Sequence, residues 1–260
     1  MSTYAIRDSA TMLRRDFKHL QRYPVMTISQ VIMPSAFLLL FVYVFGGAIS
    51  AGLDGGGASY VNYVVPGILM MTMASGCAAT AVGINMDMTE GIVARFRTMA
   101  ISRASVLTGR VVGSLIRTMV SVGLVIGIAL IIGFRPTADP AAWLAITGFV
   151  VLITFALTWL AVALGISAKS PEGANGSTLL LQFAPFISSA FVDPETMPAG
   201  VRWFAENQPF TPMIETIRGL LFGTPIGNSG ILSLVWACAI ALVGYLWARV
   251  AYNGDLARRV

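Results

Sequence analysis

The sequence predicts an all-α integral membrane protein with six transmembrane helices and both termini in the cytoplasm. Composition is the first indication: of 260 residues, 56% are hydrophobic and 11% are charged. Soluble domains average about 45–50% apolar and about 25% charged residues. A single core of this size cannot bury such an excess of apolar surface, so part of that surface must face lipid.

Six apolar runs supply the predicted spans, since about 20 helical residues cross about 30 Å of hydrocarbon. The runs are residues 25–49, 63–84, 106–132, 141–168, 175–192 and 231–250. Asp139-Pro140 and Ser170-Pro171 each have the pattern of an N-cap followed by proline at the first helical position. Small residues recur at a spacing of four, which permits close helix contacts. These pairs are Gly109–Gly113, Gly123–Gly127 and Ala161–Gly165.

The distribution of Lys and Arg sets the orientation. With a cytoplasmic amino terminus, 13 of the 17 basic residues lie on the cytoplasmic side, as membrane proteins prefer. Arg135, Arg202 and Arg218 then lie outside. Arg117 falls within the third span, where it either reaches the cytoplasmic headgroups or faces a substrate.

Two segments on the cytoplasmic side are predicted to be helices that do not cross the membrane. In residues 1–24, an apolar stripe at helical spacing is surrounded by basic side chains, which favours a helix lying at the headgroups over a solvated basic helix. Residues 85–103 carry an apolar ridge, with acids at the start and arginines at the end. From the pattern alone, this helix is either a solvated connector or a surface for a soluble partner.

Residues 193–228, on the outer side, contain five prolines and follow a short fifth span that itself contains Pro185. Helices are predicted to start at Met197-Pro198 and at Thr211-Pro212, and the second should end at Gly223. Such Pro-broken helices after a short span indicate a partly re-entrant outer segment.

Residues for catalysis or ion coupling are missing from the sequence. A phosphate-binding GxxxxGK[ST] loop needs a lysine after glycine, but Lys18 follows Phe17 and Lys169 follows Ala168. No acidic residue falls in mid-span, where an ion-driven carrier needs one. The sequence therefore predicts no catalytic residue, metal site or cofactor, and any ATP-driven process depends on a partner.

Two stretches resemble a known family. Residues 87–110, DMTEGIVARFRTMAISRASVLTGR, are similar to the signature of ABC-2 type permeases, and most of all to the daunorubicin-resistance branch, the membrane half of drug and polyketide exporters. Residues 188–198 and 204–223 resemble the outer region of the same branch. The resemblance covers essentially the whole chain, with one departure: Ala100 stands where the family usually has proline.

The resemblance implies that residues 85–103 form a coupling helix, which docks into a separate ATPase subunit. The contact residues implied are Asp87, Glu90, Gly91, Arg95, Phe96 and Arg97. ATP and Mg would be bound by that partner. The usual complex has two ATPase chains and two permease chains, identical or related, in the bacterial cytoplasmic membrane.

Alternating access along an apolar path between the permeases is the implied mechanism, with hydrophobic or amphipathic drugs or polyketides as cargo. The candidate path residues, which could equally be packing or lipid-facing residues, are Met70, Met71, Met73, Phe183, Phe186 and Phe191. The candidate outer gate comprises Pro209, Glu215 and Arg218. Alternatives are export of an endogenous lipid or lipid-linked glycan on the same fold, or an ion-coupled carrier acting alone.

Overall fold

The computed structural model describes the backbone of residues 24–46, 57–89 and 103–258, and the side chains of 30–46, 60–89 and 108–252. The amphipathic helix predicted within residues 1–24 lies outside this part, apart from its last residue. The described ranges consist of helices and connections, without a strand. The α-helices are α1 Pro24–Leu39, α2 Gly57–Thr89, α3 Arg103–Ile132, α4 Pro140–Ser167, α5 Pro171–Phe183, α6 Ala199–Asn207, α7 Phe210–Phe222 and α8 Ser229–Arg258.

The predicted helix starts at α4 and α5 are confirmed by their hydrogen bonds. The Asp139 side chain accepts from the Ala142 N–H at 2.7 Å, and Ser170 Oγ accepts from the Gly173 N–H at 3.1 Å. In both helices proline follows the cap, where its missing N–H leaves no bond unmade. The C-terminal cap of α7 is Gly223, as predicted, in a left-handed conformation with φ of 67°.

Four helical segments are long and apolar enough to cross a membrane: Tyr60–Thr89, Thr108–Ile132, Pro140–Ser167 and Ser229–Tyr252. Within the described side chains, α1 contributes a shorter apolar stretch, Gln30–Phe45. The most hydrophobic windows of α2 and α4 are 72% buried, whereas those of α3 and α8 are 28% and 22% buried. The centre of the bundle is therefore α2 and α4, while α3 and α8 present broad apolar faces outward.

Helix α2 packs against α1, α3, α4, α5 and α7, and α8 packs mainly against α4. One close crossing joins α4 to α2 at Gly165, where an added Cβ would lie 2.9 Å from the Ala81 Cα atom. Ala161, one turn earlier, is fully buried. Gly123 and Gly127 on α3, in contrast, have no atom of another element within 4 Å of an added Cβ.

Two predicted boundaries need correction. The helix expected to begin at Asn85 does not start there, because α2 remains helical to Thr89. The fifth apolar run is not one continuous helix, because α5 ends at Phe183 and a 3₁₀ turn, Ala184–Ile187, follows. Pro185 lacks the N–H that would continue the α-helical ladder, which explains the break.

Candidate functional site

The predicted coupling segment lies between the end of α2 at Thr89 and the start of α3 at Arg103. Of its candidate contact residues, Glu90, Gly91, Arg95, Phe96 and Arg97 lie outside the described residues. Asp87 is described, and its carboxylate forms an ion pair with Arg110 of α3 at 3.2 Å. Both side chains are about one-fifth exposed. The ion pair therefore ties together the two helices that bracket the segment.

Hydroxyl groups and glycines join α2 to α3 above this ion pair. The hydroxyls of Thr80 and Ser114 are hydrogen bonded, and both residues are buried. Because Thr80 also donates to the Gly76 carbonyl at 2.9 Å, we infer that Ser114 donates to Thr80. One turn away, Gly76 lies directly against Thr118. Small and hydroxyl residues thus let α2 and α3 pack closely as one hairpin.

Asn85 fixes the same end of α2 to α4. Its side chain is buried, and Nδ2 donates to the carbonyls of Gly165 at 3.0 Å and Ala168 at 2.7 Å. These carbonyls belong to the last turn and cap of α4, where no helical N–H is available to them. The sequence offered only one signal for this role, an amide residue at the end of an apolar run.

Six phenylalanines form a continuous cluster between α1 and the end of α5. Ring centroids are separated by 5.2 Å for Phe37–Phe186, 4.2 Å for Phe41–Phe191, 5.2 Å for Phe186–Phe191, 5.9 Å for Phe183–Phe186 and 5.7 Å for Phe41–Phe45. Phe45 and Phe183, at its two ends, are 42% and 59% exposed. The predicted residues Phe183, Phe186 and Phe191 are therefore brought together, and α1 adds rings that the sequence did not single out.

A π-helical turn, Leu40–Phe45, carries part of this cluster. Such turns are rare and occur frequently at functional sites, because the extra residue re-aims the side chains on either side of it. Here the turn contains Phe41, which stacks on Phe191 with an angle of 16° between the rings.

The candidate path methionines lie elsewhere. Met70, Met71 and Met73 of α2 are exposed by 0%, 7% and 1%, and all three pack within the main hydrophobic core. In this conformation they contact the chain's own helices rather than the aromatic cluster's exposed ends.

Arg218 is the best-connected of the three candidate gate residues. Its Nη2 donates to the carbonyls of Ser189 at 2.7 Å and Tyr63 at 3.2 Å, and its guanidinium carbon lies 4.0 Å from the Tyr63 ring centroid. Burial lowers the pKa of the Arg218 guanidinium below its ordinary value. Glu215, on the same helix, instead accepts from the Ser229 hydroxyl at 2.6 Å.

Pro209 caps the start of α7 and lines an apolar groove of about 540 Å³ between α5 and α6. The groove also contains Phe183 of the aromatic cluster and the exposed side chain of Trp203. Pro209 is thus near the aromatic cluster, whereas Glu215 and Arg218 face α8 and α2.

Side chains that the sequence did not single out bond the backbone groups left unpaired where α5 ends. The buried Gln208 donates Nε2 to the carbonyls of Ile187 and, at 3.4 Å, Ala184. Thr211 Oγ1 accepts from the Ser189 N–H at 3.4 Å. Backbone groups within a membrane need internal partners, and here side chains provide them where the helical ladder stops.

Comparison with known proteins identifies the family of the chain. Residues 8–222 match the family model of the ABC-2 type transporter. The "Daunorubicin resistance ABC transporter permease protein DrrB1" of Streptomyces coeruleorubidus is 29% identical over 253 residues, covering 96% of this chain and 87% of the relative. The "Probable doxorubicin resistance ABC transporter permease protein DrrC" of Mycobacterium tuberculosis is 24% identical over 232 residues, covering 88% and 82%.

The family match spans most of the chain and includes the hairpin, the aromatic cluster and the outer helices. Together with the apolar helices, it identifies a multi-pass membrane protein. This chain belongs to the ABC-2 type transporter family.

Proposed function

We propose that the chain is the permease subunit of an ABC exporter that moves hydrophobic or amphipathic, drug-like compounds outward across the bacterial cytoplasmic membrane. The names of its relatives support the drug class. The observation that carries the proposal is the aromatic cluster from Phe45 to Phe183, whose two ends are exposed. Aromatic rings bind varied apolar cargo through large contact areas without requiring fixed polar partners.

A six-span topology with cytoplasmic termini fits the observed helices. Four segments are long enough alone, and α1 has 16 residues before its π-helical turn of six. The 13 residues of α5 and the four of its 3₁₀ turn reach about 28 Å at about 1.5 and 2.0 Å per residue. This length approaches the hydrocarbon thickness of about 30 Å, so α5 supplies the fifth crossing.

Energy enters through residues 90–102, which dock on a separate ATPase that binds ATP and Mg. Their flanking helices are joined by the Asp87–Arg110 ion pair and the Thr80–Ser114 hydrogen bond. Because these bonds hold α2 and α3 together, displacement of the coupling segment moves both helices toward an outward-open state. Two such permeases, identical or related, and two ATPases complete the transporter, with the path between the permeases.

Co-expression with an ABC-type ATPase subunit tests the proposal. We expect ATP hydrolysis to be stimulated by a drug such as an anthracycline, and Phe96→Ala to lose the stimulation and most of the co-purifying ATPase, because Phe96 is the apolar anchor of the docking contact. Phe155→Ala, a partly exposed ring on α4, is the matched control. Gradient-driven uptake by this chain alone in liposomes would contradict the proposal. If only a lipid or a lipid-linked glycan stimulates ATP hydrolysis, that compound rather than a drug is the cargo.

A further inference from the structure

The turn between the 3₁₀ helix and the outer helices, residues 188–191, is called the tip here. Its polar groups are bonded mainly by side chains rather than by a helical backbone ladder. Gln208 and Thr211 bond the backbone at Ile187 and Ser189, as described above. Within the tip, Ser188 Oγ donates to the Pro185 carbonyl at 2.5 Å and accepts from the Ala190 N–H at 3.2 Å. Such a turn can move without unwinding a helix, because only a few side-chain contacts hold it.

The tip is seated against α2 at one glycine. A Cβ added to Gly67 would lie 2.5 Å from the Ala190 Cβ and 2.9 Å from its Cα. Real Cβ atoms do not approach that closely, so any larger residue at position 67 must push the tip away from α2. This close contact between the tip and α2 therefore depends on glycine at position 67, which has no side chain.

Arg218 provides a second contact between the tip and α2. One nitrogen, Nη2, bonds Ser189 of the tip and Tyr63 of α2, so the guanidinium bridges two elements that otherwise meet at Gly67 and Ala190. No carboxylate within the described part of the chain forms an ion pair with Arg218. Its Nε also has no hydrogen-bond partner. Neutral carbonyls and a ring hold the cation, and these are the contacts that break when the tip moves out.

The tip also covers the aromatic cluster. Phe191, its last residue, is 4% exposed and stacks on Phe41. Outward movement of the tip would separate this pair and open the outer end of the cluster.

We propose that the tip is the outer gate of the transport path and that Arg218, inserted between the tip and α2, is the latch that keeps the gate closed in the absence of ATP. The inference rests on the proposed exporter function. It goes beyond that function by naming the moving element and the contacts that must break in each transport cycle.

Ser189→Cys provides a probe of gate opening. Ser189 is 2% exposed and its hydroxyl has no hydrogen-bond partner, so a thiol disturbs little and reacts only when the tip moves. Cys238 is exposed and is replaced by Ser, whereas Cys77 is buried. The complete transporter in right-side-out membrane vesicles, prepared without ATP or with ATP trapped on a hydrolysis-deficient ATPase, is treated from outside with a membrane-impermeant maleimide.

In this background we expect slow labelling without ATP and faster labelling in the ATP-trapped state. Arg218→Gln should raise the ATP-free labelling rate by about tenfold, as expected for loss of charged hydrogen bonds from the closed state. Gly67→Ala should act in the same direction without changing any charge. Arg202→Gln, which removes an exposed ion pair with Glu206 on α6, should leave the rate unchanged.

Tyr63→Leu keeps the carbonyl but removes the ring, so we expect a smaller increase in the ATP-free labelling rate. This milder variant tests the latch if Arg218→Gln does not assemble with the ATPase. Unchanged ATP-free labelling in correctly assembled Gly67→Ala and Tyr63→Leu would overturn the latch. Labelling does not require a cargo, so the latch can fail while drug-stimulated ATP hydrolysis persists. Conversely, the exporter function can fail while the labelling pattern holds.

Discussion

At the scale of single residues, one buried amide joins the ends of two helices. Asn85 extends from the end of α2 to two carbonyls at the end of α4. Replacing it by a residue of similar size without donors leaves both carbonyls buried and unbonded. Unmade buried hydrogen bonds cost about 1–3 kcal/mol, so this position contributes more than its small size suggests.

We therefore predict that Asn85→Leu destabilises the chain by about 1–3 kcal/mol, seen as a fall of several degrees in the melting temperature of the detergent-purified protein. Asn207→Leu is the matched control, because Asn207 lies exposed on α6 and surface changes are usually within about 0.5 kcal/mol. Equal melting temperatures for the two variants would show that the carbonyls find other partners.

At the scale of helices, close packing depends on which glycines meet another backbone. Gly165→Ala would place a methyl group against the backbone of Ala81, whereas Gly123→Ala enters open space. We predict that Gly165→Ala destabilises by about 1–3 kcal/mol through overpacking. Gly123→Ala should be neutral or stabilising by up to about 1 kcal/mol, from helix propensity.

Thermal unfolding of both variants with fluorescence-detected size exclusion measures this difference. The pair is matched in chemistry and differs only in the neighbour of the added methyl group. A Gly165→Ala variant as stable as Gly123→Ala would mean that α2 and α4 separate easily, which would contradict their place at the centre of the bundle.

Comparison of these helices with the sequence shows which features are local. Asp139-Pro140, Ser170-Pro171 and Gly223 predict helix ends correctly because each end is fixed by bonds within a few residues. Glycine spacing could not distinguish Gly165 from Gly123, since packing depends on which helix faces meet. The end of α2 was also missed: hydrophobicity falls at the membrane surface, but the helix continues to Thr89.

The candidate functional residues also divide into those that the sequence indicates and those that only the fold reveals. Phe183, Phe186 and Phe191 follow a pattern of aromatic residues near a break and do form a cluster. Gln208 directly follows Asn207 and Asn85 stands at the end of an apolar run, and only the fold shows the carbonyls that Gln208 and Asn85 bond.

At the scale of the whole molecule, the bonded contacts of the α2–α3 hairpin and the tip lie toward opposite ends of α2, with the aromatic cluster adjoining the tip. Helix α2 connects these sites: it carries Asp87 and Thr80 at one end and Gly67 and Tyr63 toward the other. A shift of the coupling segment can therefore reach the latch through one helix. In the proposed exporter, cargo binding and ATPase coupling should therefore be separable by mutation.

Phe186→Ala tests that separation, because Phe186 lies at the centre of the cluster, within 6 Å of Phe37, Phe183 and Phe191. Aromatic contacts contribute about 0.5–1.5 kcal/mol each, so the half-saturating drug concentration for stimulated ATP hydrolysis should rise by about tenfold. Basal hydrolysis should stay unchanged because the hairpin is intact. Phe155→Ala, a partly exposed ring on α4 that contacts Trp159, should leave the half-saturating concentration at its original value.

Phe186→Leu retains apolar volume without the ring and separates binding from packing. If the cluster binds cargo through its rings, both Phe186 variants should weaken drug binding while the leucine variant keeps its melting temperature. If the cluster only packs α1 against α5, the alanine variant should melt earlier and neither variant should change the half-saturating concentration. The second result would remove the aromatic cluster from the transport path while leaving the hairpin and the latch as they stand.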